Sequence, residues 1–308
     1  MNLIDEAGGP NEKHDHSHSG LATDLKYIMA RRRALKLLGG GSSFALLTAC
    51  AGGGSGSGSS TSTPSSSSTS TPTPTPTPTP TSTSTATAGE CVAHPTETNG
   101  PYPADGSNNA NGAVANVLIE SGIVRSDIRS SFNGSTGTAD GVDMTLTITL
   151  SNVNDSCAAL AGYAIYVWHC TAEGEYSIYN ISNENYLRGV GVTDTNGQVT
   201  FQTIVPGCYA GRFPHIHFEV YEDLSSATHY NNRLLVSQMA VPEDEAAFVY
   251  STESTTYGDS SRNLSQISIS SDNVFGDNTN AQIEAQTLVM TGSIQEGYEA
   301  SVTVGLAV

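Results

Sequence analysis

Beyond residue 140, apolar and polar side chains alternate with a period of two in several separate runs. The clearest are "MTLTITL" at 144–150, "YAIYVWH" at 163–169, "GQVTFQTI" at 197–204 and "IHFEVYE" at 216–222, followed by "RLLVSQMAV" at 233–241 and "EASVTVGLAV" at 299–308. That period places alternate side chains on opposite faces and predicts half-buried strands. Turn signals such as "DTNG" at 194–197 and "NG" at 99–100 separate or precede such runs. Helical periodicity is scarce, its best candidate being a short turn around "PEDEAAFVY" at 242–250. The expected fold is all-β: an antiparallel β-sandwich with long loops and little helix.

The pattern is absent upstream. Residues 30–50 read "ARRRALKLLGGGSSFALLTAC": a basic cluster, a modest apolar stretch, then small residues and a cysteine. This order is that of an export signal. "RRRALK" resembles the twin-arginine type, and "LTAC" resembles a lipobox, which would make Cys50 a lipidated residue. The apolar run is too short to span a bilayer, so the expectation is a lipid-anchored protein of the cell envelope with its domain outside the cytoplasm. Residues 51–88 are almost entirely Gly, Ser, Thr and Pro, with five Thr-Pro repeats at 71–80. Such a composition builds no core, and its Pro-rich part favours extended chain. The expected organisation is therefore a signal peptide at 1–49, a disordered tether at 50–88 and one folded domain at 89–308.

Charge narrows the partners. The chain carries 30 acidic and 12 basic residues. After the signal segment every remaining basic residue is arginine. A nucleic-acid-binding surface needs the opposite sign. Four cysteines remain in the folded part, Cys91, Cys157, Cys170 and Cys208. An even number in an exported domain permits two disulfides, with three possible pairings.

Two histidine groups compete as metal sites. His14, His16 and His18 form a compositional metal tract, but they precede the export signal. His215 and His217, in "PHIHFEV", lie two apart on a predicted strand and so share one face. Burying two imidazoles on one face is costly unless each is paired, and a shared metal ion would pair both. Two ordinary histidines on a solvent-facing strand side are the alternative.

The surrounding sequence bears on that choice. "VWHCTAEGEYSIYN" at 167–180 and "TIVPGCYAGRFPHIHFEV" at 203–220 resemble the intradiol ring-cleavage dioxygenases, the family of catechol and protocatechuate dioxygenases. "PTETNGPYPADG" at 95–106 looks like the opening of that family's catalytic domain, and "YLRGVGVTDTNGQVTF" at 186–201 like the segment between its two tyrosines. The resemblance implies a non-haem ferric ion, Fe(3+), held by Tyr176, Tyr209, His215 and His217, with Arg212 as the active-site arginine. It implies cleavage of a catechol-type ring by O2 between its two hydroxylated carbons, giving a muconate-type product. Tyr209 would be the ligand released when substrate binds and a proton acceptor, and Arg212 would stabilise negative charge on the ring. Phenolate and imidazole suit a hard ferric ion better than thiolate.

His169 neighbours Trp168 on the opposite face and is expected to be structural. Trp168 is expected in the core, and His94 and His229 show no partner. Unlike the better-known members, this chain shows no helical N-terminal dimerisation segment, and a disulfide at Cys208 would stiffen the Tyr209 loop. Two rival readings stand beside the enzyme: a non-catalytic cell-surface β-sandwich binding module, and a copper or zinc site at the His-x-His pair.

Overall fold

A computed structural model describes residues 91–308. The expected signal peptide at 1–49, the expected tether at 50–88, Cys50 and the His14, His16 and His18 tract lie outside the described residues.

In chain order the strands are β1 (Asp105–Ala110), β2 (Ala113–Asn116), β3 (Asp143–Asn152), β4 (Ala158–Ala159), β5 (Ala164–Trp168), β6 (Arg188–Val192), β7 (Gln198–Ile204), β8 (His215–Tyr221), β9 (Arg233–Ala240), β10 (Val289–Ser293) and β11 (Gly297–Leu306). Each of the six alternating runs overlaps one of them. β1 and β2 pair as a small hairpin. One layer of the sandwich is β10-β11-β3, with both β4 and β7 on the far side of β3, and the other is β6-β5-β8-β9.

The main core lies between the two layers. β3 contributes Met144, Leu146, Ile148 and Leu150, while β8 contributes Ile216, Phe218 and Val220. Gly191 on β6 faces this core because a Cβ there would come within 2.4 Å of Val199. The expected sandwich is present, with one exception to its antiparallel order: β11 runs parallel to β3. Alternation fixes which side chains face inward but carries no information on strand direction.

The expectation of half-buried strands needs correcting at the centre. β5 and β8 are buried at every position. Their second face is covered by residues 104–132 and by the 176–179 segment. There Ala104, Val117, Leu118, Ile123 and Phe132 pack with Tyr166, Trp168, Tyr176 and Val236 in a second cluster. The side chains on that face, His215 and His217 among them, are therefore enclosed.

Helix is also more extensive than one turn. α1 (Glu243–Thr252), α2 (Ser254–Tyr257), α3 (Ser260–Leu264) and α4 (Asn280–Gln286) follow β9. Glu243, Asp244 and Glu245 occupy the first turn of α1, where acidic side chains favour the helix dipole. α4 begins with a capping box between Thr279 and Gln282. Ala246, Val249, Tyr250, Tyr257 and Leu264 join the main core, so the segment closes one end of the sandwich.

Candidate metal centre

His215 and His217 project from β8 onto the enclosed face, and their Nε2 atoms meet at 3.1 Å. The Nδ1 of His215 lies 2.6 Å from the carbonyl of Phe213. A carbonyl only accepts, so this nitrogen carries the hydrogen and Nε2 presents a lone pair. Trp168, the cross-strand neighbour of His217, stacks on its ring at 4.8 Å and 5°.

Tyr209 reaches the pair from the β7–β8 loop, its hydroxyl 3.2 Å from His215 Nε2. That loop is held mainly by the helical segment. Tyr250 donates to the carbonyl of Pro206 and Tyr257 to that of Val205. The amide of Cys208 donates to Ser260 Oγ, and Asn263 Nδ2 donates to the Cys208 carbonyl. Gly207 is required here, since a Cβ would fall 2.1 Å from the carbonyl oxygen of Ala172.

Tyr176 comes from the β5–β6 loop. Its amide donates to Asn180 Oδ1. The next residue is pinned by the buried Arg188, which donates to both the hydroxyl and the carbonyl of Ser177. The Tyr176 ring meets Tyr209 at 5.9 Å and His217 at 6.2 Å, both edge-on.

Arg212 completes the cluster. Its Nε donates to Asp272 Oδ2 at 2.9 Å and its Nη2 to Gln238 Oε1 at 2.6 Å, while Nη1 lies 3.5 Å from His215 Nε2. Gln238 in turn donates to the carbonyl of Thr98, which ties the 97–102 segment to the site. Gly100 lies against His217, a Cβ there coming 3.1 Å from its Cε1. Tyr102 packs at 4.8 Å from the Tyr176 ring and 5.1 Å from that of Tyr179.

The structure thus brings together all five residues singled out in the sequence, Tyr176, Tyr209, Arg212, His215 and His217. Gln238, Asp272 and Tyr102 were missed. Tyr102 lies within the 95–106 segment quoted above, and Gln238 was signalled as a polar residue inside the largely apolar run of β9. His169 stands apart, both ring nitrogens engaged by the Cys170 carbonyl and Thr203 Oγ1, as a structural side chain would be. His94 takes a hydrogen bond from the Gly305 amide, and His229 caps the turn at 230–232.

The cysteines follow a different pattern from two disulfides. Cys91 and Cys157 are bonded, whereas Cys170 and Cys208 are free and buried. Each thiol instead donates to a carbonyl, of Gly207 and Arg212 respectively. The Tyr209 loop is stiffened by hydrogen bonds and not by a disulfide at Cys208.

Electrostatics describe what the cluster lacks. Burial holds both His215 and His217 well below the ordinary imidazole range, and the nearby Arg212 charge adds to this. Burial pushes the Tyr209 phenol up to about 12, against the pull of Arg212. Burial also pushes Tyr176 well above its usual value, with Tyr209 adding to it. Neutral imidazoles and protonated phenols are the resting forms in the absence of a cation, and a bound cation would draw off the phenolic protons. The Tyr176 hydroxyl and His217 Nδ1 are buried without a hydrogen-bond partner, a costly state for polar atoms. Two imidazole nitrogens and two phenol oxygens fit a hard metal ion, which would engage the Tyr176 oxygen. Among the described residues no group of three or more His, Cys, Asp or Glu side chains forms a metal site. Half of the donors here are tyrosines, which lie outside that set. Cavities of about 740 and 320 Å³ are lined by other residues, Asp140, Glu173 and Glu253 in the first and Asn111, Asn133 and Glu184 in the second.

Residues 124–258 match the dioxygenase family model Dioxygenase_C. The fold is similar to that of an intradiol ring-cleavage dioxygenase from Tetranychus urticae, at 23% identity over 70% of this chain and 95% of that one, with a TM-score of 0.52. A second dioxygenase crystal structure is similar at 23% identity over 71% and 95%, with a TM-score of 0.53. The dioxygenase domain of a carbohydrate-binding fusion protein from Streptomyces sp. SirexAA-E aligns at 20% identity over 70% and 99%, with a TM-score of 0.43. No curated protein matches in sequence. The domain is thus dioxygenase-like over residues 124–258 in sequence and throughout its sandwich in fold.

Proposed function

We propose that residues 89–308 form a non-haem ferric dioxygenase that opens a catechol-type ring between its two hydroxylated carbons with O2, giving a muconate-type product. The observation that carries this reading is the convergence of His215 Nε2, His217 Nε2 and the Tyr209 hydroxyl with a buried Tyr176 hydroxyl that has no partner. Tyr176, Tyr209, His215 and His217 would hold the ion. A ferric ion held there would supply a Lewis-acidic centre for the hydroxyl oxygens of a catechol.

The residues divide the remaining work. Tyr176, His215 and His217 are fully buried, whereas Tyr209 is half-buried on a loop with exposed neighbours at 210–211. Tyr209 is therefore the donor free to move aside, and its phenolate oxygen would accept a proton from the incoming catechol. Arg212 stands beside the donor atoms with Nη1 foremost, where its charge would stabilise negative charge on the ring. Asp272 and Gln238 fix its other nitrogens. Tyr102 forms an aromatic wall that excludes water from the reacting face.

The proposal extends to the setting: export through the signal at 1–49, lipidation at Cys50, and display on the 50–88 tether at the cell envelope. Radiolabelled lipid incorporation lost in Cys50→Ala tests that part. For the enzyme, purified protein should be red to brown from tyrosinate-to-ferric charge transfer and should consume O2 with a catechol. Tyr176→Phe should shift or abolish the colour. Protein that stays colourless and inert towards catechols after ferric loading would sink the reading.

A further inference from the structure

Residues 91–308 carry 24 acidic side chains, six arginines and no lysine. Where those six cations are spent bears on which substituents a substrate can carry. Arg129 and Arg262 pair with carboxylates at the surface. Arg233 bridges the buried Asp105 and Glu219. Arg125 donates to the carbonyls of Arg188, Ser130 and Ile128. Arg188 is wholly buried behind the Tyr176 loop. Its nitrogens donate to Ser177, the Pro103 carbonyl and the Tyr166 hydroxyl.

Only Arg212 reaches the donor cluster, and its charge already has a counter-ion in Asp272. Its single forward nitrogen faces His215 Nε2, the end where the two ring hydroxyls would sit. A substituent at the far end of the ring would meet other surroundings. Tyr102 and Tyr179 pack together beside the Tyr176 ring, and the one cation against them, Arg188, lies 5.6 Å over the Tyr179 ring with its nitrogens already committed. Tyr179 donates to Asn108 Oδ1, and Asn108 donates to the Pro101 carbonyl. Among the described residues no cation is free to receive an anionic substituent at that end. A carboxylate taken from water into a partly dry site without a partner is strongly disfavoured, and the excess of acidic residues repels anions over a longer range.

We infer that this site takes catechols whose ring bears neutral substituents and rejects those bearing a carboxylate. The inference rests on the dioxygenase reading above. It concerns charge and not size, so the test uses two ring substituents of nearly equal shape. Catechol, 3,4-dihydroxybenzamide and 3,4-dihydroxybenzoate are titrated calorimetrically into the ferric-loaded protein at pH 7, and O2 uptake is measured with each. The amide is expected to bind at least about tenfold more tightly than the benzoate and to show the higher kcat/KM. Equal affinities for amide and benzoate, whether both tight or both weak, would overturn the inference, because discrimination would then be absent or steric. Failure of all three compounds to bind or react would instead overturn the dioxygenase reading, so the two failures are distinguishable.

Discussion

Asp272→Asn tests how the site's arginine is held. The Asp272 carboxylate accepts from Arg212 Nε and the Phe213 amide on Oδ2, and from Arg212 Nη2 and the amides of Val274 and Phe275 on Oδ1. Both oxygens face only donors. An asparagine of the same shape must turn its NH2 towards one of those sets, and it leaves Arg212 without a counter-ion. Breaking a buried ion pair from one side costs about 3–5 kcal/mol. The expected result in urea unfolding at pH 7 is a loss of that size with little change in slope. The exposed pair Arg262–Asp259 serves as control, since Asp259→Asn should stay within about 0.5 kcal/mol. Acidification supplies a second check. Burial pushes the Asp272 carboxyl up, but Arg212 and the Phe213 amide outweigh it and hold it below the ordinary range. Its stabilisation is then complete above the unfolded pKa near 4 and is lost as pH falls through the folded value. The gap between wild type and Asp272→Asn should therefore shrink in acid, where the native side chain becomes a neutral near-isostere of asparagine. A gap under about 1 kcal/mol at pH 7, or one that persists unchanged at low pH, would refute the reasoning.

Removing the Cys91–Cys157 bond closes off the constraint on a 66-residue separation, for which chain entropy predicts a loss of about 4 kcal/mol; Cys157→Ser read by thermal unfolding measures it. Gly207→Ala should cost about 1–3 kcal/mol through overpacking against the Ala172 carbonyl, and near-ultraviolet circular dichroism should report disturbed tyrosines. Burial, with Asp105 adding to it, pushes the Glu219 carboxyl up to about 8. Its contribution to stability is full below the unfolded pKa and is lost as pH rises through about 8. Glu219→Gln should therefore flatten the decline in Tm between about pH 5 and 8, and an unchanged slope would count against that environment.

The strands were legible because a period of two survives in composition alone, and β3, β5, β7, β8, β9 and β11 all begin and end within two residues of the alternating runs. The enclosure of β8 was not, because alternation in "IHFEVYE" reads the same whether its polar face meets water or a second apolar layer. α1 was underestimated since Ala246, Val249 and Tyr250 form a narrow stripe between Ser, Thr and acidic residues. The five site residues could be found because they lie within 42 positions of one another in recognisable segments. Asp272 could not: it lies 60 residues from Arg212, beyond the span matching the dioxygenase family, and is one acidic residue among 30. Cysteine number permitted a second disulfide, but pairing is a matter of spatial approach and side-chain direction, and the Cys170 and Cys208 thiols each donate to a carbonyl instead.

The covalent bond at Cys91 also has a mechanical side. Cys91 lies upstream of every strand described, and its partner Cys157 sits in the turn between β3 and β4, beside the strand that joins β11 to β7. A pulling force arriving from upstream therefore passes through the sulfur bridge into the centre of one sheet. The stretch from 92 to 104, which lays Gly100 and Tyr102 over the donor cluster, is tied separately to both sheets, His94 to Gly305 of β11 and Glu97 to Val236 of β9. Held at the sulfur bridge and at both sheets, that segment would keep its place over the donors as long as the sandwich stays whole.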